Sequence, residues 1–159
     1  AIVGLRLVWT GRRRSPWLVP AGLILLSVVP LVAGAATLVD LAGGTTAHEH
    51  RQRFVAMPLP VLIHIVSVAP FCVLGALQFG PMSRRWHRGA GRIALISGFA
   101  TSISGLWMTL VYPWAPADGL ALYLMRLVVG LAMLLFLILS VQAIRRRQFG
   151  AHGAWMTRA

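Results

Sequence analysis

Apolar residues gather along this chain into four long runs, at about 17–42, 58–80, 90–114 and 119–144, separated by short polar stretches. Each run reaches the roughly 20 helical residues that cross a hydrocarbon core about 30 Å thick. The pattern predicts an all-α, polytopic membrane protein, a four-transmembrane-helix bundle forming a single domain over residues 1–159. Pro30 and Pro70 fall inside the first and second runs. In a membrane bundle, neighbouring helices satisfy the carbonyls that proline frees, so both are expected to bend their helices and not to end them. The first run is too long for a signal peptide and lacks a small-x-small cleavage site at the usual distance, so it reads as a span. In the third run Ala94, Gly98, Ser102 and Gly105 make a stripe of small residues. Such a stripe lets another helix approach closely, with a cofactor groove as the alternative.

Composition agrees with this pattern: 58% of residues are hydrophobic and only 11% charged, far from the range of water-soluble domains. All 15 basic residues are arginine, against 3 acids. A pI this high would suit nucleic-acid binding, but the arginines sit in short clusters between apolar runs, as they do in membrane-protein loops, so no nucleic-acid partner is expected. The single cysteine, Cys72, lies within a span and leaves no intrachain disulfide.

The clusters also orient the chain. With four spans, Arg12, Arg13 and Arg14, then Arg84, Arg85, Arg88 and Arg92, then Arg145, Arg146, Arg147 and Arg158 fall on one side, while the other side carries only Arg51 and Arg53. The positive-inside rule makes the first side cytoplasmic, with both termini there, in a bacterial inner membrane. Glu49 and Asp118 fall in the outer loops, and Asp40 near the outer end of the first helix.

Few polar side chains remain to carry chemistry. His64 lies about six residues into the second helix from the outer side, deep enough that its imidazole needs a partner. That partner is either a carbonyl or hydroxyl of a neighbouring helix, or a haem or quinone. Arg126, about two turns into the fourth helix, is expected to snorkel, to pair with Asp40 or Asp118, or to hold a haem propionate. Its depth resembles that of His64, and the two are expected to face one outer site.

On the cytoplasmic side His87 and His152 come from different helices at one membrane face, as bis-imidazole ligation of haem b requires, with Arg88 and Arg92 placed for its propionates. The bland alternative for both is a headgroup-level histidine. His64 stands roughly 24 Å from the inner end of its helix, at about 1.5 Å per residue, so any site there is a separate one. His48-Glu49-His50 in an outer loop is a weak metal signal, better explained as polar loop sequence. Nothing in the chain supports a hydrolase or nucleotidase.

After His64 in the second helix, three segments carry a resemblance: Gly75-Ala76-Leu77-Gln78-Phe79, then Trp86-His87-Arg88-Gly89-Ala90-Gly91-Arg92, then His152-Gly153-Ala154-Trp155-Met156-Thr157-Arg158. Together they resemble the bacterial membrane-protein family catalogued as domain of unknown function 2306, over residues 60–159. The resemblance implies a multi-helix membrane protein, with haem as one possibility, and supplies no reaction. Family members continue in further apolar sequence beyond the last segment, so later helices are expected to lie outside this chain.

Two readings of function follow. One is a b-type haem electron-transfer protein with His87 and His152 as axial ligands and His64 with Arg126 as an outer quinone or second haem site. The other is a non-catalytic accessory subunit that packs against other membrane subunits or a second copy of itself. A transporter has little support, because four spans with few buried polar groups leave little room for a substrate path.

Overall fold

A computed structural model describes residues 15–43, 52–114 and 118–159. Arg12, Arg13, Arg14, His48, Glu49, His50 and Arg51 lie outside the described residues. Six helices follow in order: α1 Leu18–Gly43, α2 Gln52–Ala56, α3 Pro58–Leu77, α4 Arg84–Val111, α5 Leu120–Arg145 and α6 Phe149–Met156. Of these α1, α3, α4 and α5 are long and apolar enough to cross a bilayer, as expected. Helices α1 and α3 continue through Pro30 and Pro70.

Three boundaries differ from the sequence pattern, the simplest being the end of α4 at Val111 and not at 114. Helix α4 begins at Arg84, six residues before the apolar run, because Ser83 caps it: the Ser83 hydroxyl accepts from the Trp86 N–H at 3.3 Å, satisfying an orphan donor of the first turn. The added residues are polar, so hydropathy did not register them. Helix α3 ends at Leu77, where the amides of Gln78, Phe79 and Gly80 fold back on the last carbonyls.

The spanning helices form an open row. Helix α1 packs on α3, α3 on α4 and α4 on α5, and among the described residues neither α1 nor α5 packs to a comparable extent on a second spanning helix. Each contact is antiparallel. Trp17 lies over Gly80 and Gly34 against Ile65, with a Cβ on either glycine reaching 3.2 Å from its neighbour. Farther along the row, His64 meets Thr101 while Gln78 meets His87.

Large apolar side chains point outward: Leu25, Leu26 and Val29 are each more than 70% exposed. The interior holds Ala94, Ser97, Gly98, Thr101, Ser102, Ser104, Leu137 and Ser140. Lipid is as apolar as leucine, so burying leucine brings little gain there and close approach over small residues brings much. The stripe expected on α4 is therefore a helix interface. At Gly98 a Cβ would stand 2.9 Å from Phe71 of α3 and 3.2 Å from Leu137 of α5.

Arg145, Arg146 and Arg147 close α5 with a reversal. Arg147 has φ 58°, while Gln148 N–H reaches Ala143 O at 2.9 Å and Arg147 N–H reaches Ile144 O at 3.0 Å. This double bond pattern is the Schellman motif, usually built around glycine. It turns α6 back along α5, where His152 meets Ser140 and Trp155 stacks on Phe136 with ring centroids 5.7 Å apart.

Substitution of Gly98 tests the interface. Gly98→Leu should separate α4 from both neighbours and abolish a stable, monodisperse protein in detergent, and Gly98→Ala should cost about 1–3 kcal/mol. Gly75→Ala, at a site where a Cβ meets nothing within 4 Å, should leave the thermal unfolding midpoint unchanged.

Candidate functional site

The buried polar chemistry falls into three places along the row. Between α3 and α4, His64 Nδ1 lies 3.1 Å from Thr101 O and 3.2 Å from Ser104 Oγ. A carbonyl oxygen only accepts, so Nδ1 carries the proton, and the lone pair sits on Nε2. Ser104 donates to Ala100 O at 2.6 Å, which leaves its oxygen free to accept from the imidazole. Thr101 Oγ1 donates to Ser67 Oγ at 3.0 Å, and Ser67 donates to His64 O at 3.1 Å. The ring lies over Gly105, where a Cβ would stand 3.3 Å from His64 Cε1. His64 thus has the interhelical carbonyl and hydroxyl partners that its depth demands, and they fix its tautomer.

The second place joins α5 and α6. His152 Nδ1 stands 2.8 Å from Ser140 Oγ and 3.2 Å from Ser140 O, and Ser140 is fully buried. The clamp repeats that of His64: one serine hydroxyl and one main-chain carbonyl hold Nδ1, and Nε2 stays outside it. Metal-ligating histidines are held in this way, with the second nitrogen bonded to a carbonyl or carboxylate. Packing of Gly98 on Leu137 and of Leu106 on Gly130 sets α4 and α5 in register. On that register the two clamps are separated by about six to eight residues, or roughly 9–12 Å of helix rise, so the two imidazoles stand apart.

His87 is used differently. With the Gln78 amide oriented by its surroundings, its nitrogen donates to His87 O at 3.2 Å and to His87 Nδ1 at 2.6 Å, while its oxygen accepts from Gly91 N–H at 3.2 Å. The proton of neutral His87 then belongs to Nε2. Gln78 thereby ties the end of α3 to the first turns of α4. No described contact joins His87 to His152, because α6 packs on α5. Arg88 and Arg92 are exposed on α4.

At the opposite membrane face Asp118 links two arginines. Its carboxylate meets Arg126 at 3.0 Å and Arg53 at 3.3 Å, and Arg53 also donates to Pro113 O at 3.0 Å. Arg126 therefore reaches outward to the pairing partner expected of it, whereas His64 turns toward α4, so the two do not face one site. Tyr112 donates to Met57 O at 2.6 Å and packs on Phe54. Burial, outweighing a main-chain hydrogen bond and the Arg53 charge, pushes its phenol pKa up, which keeps the donor protonated. These contacts dock α2 on the α4–α5 connection. Among the described residues no cluster of three or more metal-ligating side chains forms.

Sequence reading overlooked Thr101, Ser104 and Ser140, which hold the imidazoles, and Ser67, which bonds Thr101 and the His64 carbonyl. For two of them a signal existed: Thr101 and Ser104 lie on the same face of α4 as the small-residue stripe. Gln78 stood in a quoted segment without an assigned role.

Removing the charge of Asp118 tests the outer link. Asp118→Asn should leave Arg53 and Arg126 without their carboxylate and lower stability by about 1–3 kcal/mol, below the cost of a fully buried pair because Arg126 is 40% exposed. Chemical unfolding in detergent should show Asp118→Asn/Arg126→Leu to be less damaged than Asp118→Asn alone.

Comparison with known proteins bears on the same segments. No curated protein and no solved structure matches the chain. The profile of the predicted membrane proteins grouped as domain of unknown function 2306 matches residues 61–159, a stretch that contains all three resembling segments. The chain belongs to this family of predicted membrane proteins.

Proposed function

We propose that the protein is a membrane-embedded b-type haem carrier of a respiratory or other redox chain, with imidazole ligation through His152 and, at a separate site, His64. One observation carries this reading: both rings are clamped at Nδ1 by a serine and a main-chain carbonyl, leaving Nε2 as the available donor. Haem b held at such a nitrogen supplies one-electron chemistry. The open row suits the reading as well, since α1 and α5 each make their main spanning contact with a single neighbour. His87, whose Nδ1 takes up the Gln78 amide, serves to tie α3 to α4 in this account and is not an axial ligand. A quinone remains the natural exchange partner for a carrier within the bilayer. The arginine-rich face is cytoplasmic by the positive-inside rule, and the membrane is the bacterial inner membrane.

A second reading rests on the same open row. Among the described residues helix α1 packs on the remaining spans mainly through α3, which suits an accessory subunit whose row is completed by another membrane protein or a second copy.

An oxidised and dithionite-reduced absorption spectrum of protein purified with haem supplied separates the two. The haem reading expects a Soret band that is lost or shifted in His152→Ala and kept in His87→Ala. A colourless protein that co-purifies with a membrane complex overturns it in favour of the accessory subunit. Loss of the band in His87→Ala with retention in His152→Ala overturns the ligand assignment.

A further inference from the structure

The start of α4 concentrates positive charge without an answering carboxylate. Arg84, Arg85, Arg88 and Arg92 are all exposed, and no side-chain hydrogen bond or ion pair joins them to another described residue. Antiparallel packing brings Arg145, Arg146 and Arg147 at the end of α5 to the same face. The chain has only 3 acidic residues. Asp40 and Asp118 stand at the opposite end, beside the end of α1 and the start of α5, and Glu49 lies outside the described residues. No described side-chain carboxylate is therefore available at the arginine-rich face.

Helix polarity increases the demand for an anion. A helix N-terminus carries partial positive charge and favours acidic residues, yet the first turn of α4 has none and begins with two arginines. Ser83 satisfies one amide of that turn but brings no negative charge. None of the described side chains supplies a countercharge at this face.

The surface below the arginines identifies its source. Arg85, Arg88 and Arg92 share an exposed stripe of α4 with Ile96 and Ile103 at helical spacing, and those isoleucines are 70% and 54% exposed. Ile93 beside them is 53% exposed. Guanidinium groups thus stand at one end of an apolar strip running toward the middle of the span, the arrangement of a phosphate ester joined to acyl chains.

We propose that Arg88 and Arg92, with Arg85, form a binding site for an anionic phospholipid, the guanidinium groups holding its phosphate and the Ile93, Ile96 and Ile103 strip receiving an acyl chain. Guanidinium groups match phosphate oxygens through paired hydrogen bonds. The site is independent of the haem reading and takes Arg88 and Arg92 from the propionate role that followed from His87 as a ligand.

The test is native mass spectrometry and thermal unfolding of detergent-purified full chain, in micelles doped with phosphatidylglycerol or phosphatidylcholine, or supplemented with inorganic phosphate. Retention of phosphatidylglycerol over phosphatidylcholine is expected, with a higher unfolding midpoint that inorganic phosphate does not reproduce. Affinity should fall about fivefold for each arginine removed in Arg88→Gln and Arg88→Gln/Arg92→Gln. Binding by the wild-type protein should weaken as salt is raised, a readout that stands if the variants do not fold. Equal retention of both lipids overturns the proposal, as does protection by inorganic phosphate alone or wild-type affinity in the double variant. Loss of phosphatidylglycerol on haem loading would return the arginines to the propionates and overturn it too.

Discussion

Close approach at α4 is the constraint on which the rest of the molecule depends. Gly98 leaves room for Phe71 on one side and Leu137 on the other, so a single position on one helix sets its distance from two others. That distance decides whether hydrogen bonds form across the seams. Thr101 reaches Ser67, and His64 reaches Thr101 and Ser104, only because the backbones are near. In hydrocarbon an unmet polar group has no water to turn to, so the small residues that permit contact also make the polar ones tolerable.

The two ends of the bundle handle charge in opposite ways. At one end Asp118 neutralises Arg53 and Arg126 within the fold, and Tyr112 fastens the junction of α2 and α3. At the other end arginines accumulate with no described acid beside them. The first arrangement closes a structure on itself, while the second makes the surroundings part of the structure. Asymmetry of this kind gives a membrane protein its direction as well as its anchoring.

Much of the architecture could be read from the sequence because membrane thickness imposes length and apolarity on a span. All four spans appear in the hydropathy, and the Ala94, Gly98, Ser102 and Gly105 stripe gave the α4 interface. Features depending on capping or on a neighbour were hidden. The extension of α4 to Arg84 rests on one serine hydroxyl. Helix α6 is too short to leave a hydropathy signal, and its placement depends on Arg147 adopting a conformation that arginine seldom takes. At the candidate site the histidines were visible as unusual residues, yet their roles were not. Sequence grouped His87 with His152 by membrane side. Geometry instead groups His64 with His152, by the serine and carbonyl that clamp each ring, and sets His87 apart through Gln78.

The open row has a bearing on biosynthesis. Helices that adjoin in space are those that adjoin in the chain: α3 meets α1, α4 meets α3, α5 meets α4 and α6 meets α5. Each helix leaving the ribosome finds its partner already in the bilayer, with only a short connection to close. Pairing of the spans needs no waiting for a distant one, and only the docking of α2 on the α4–α5 connection comes later.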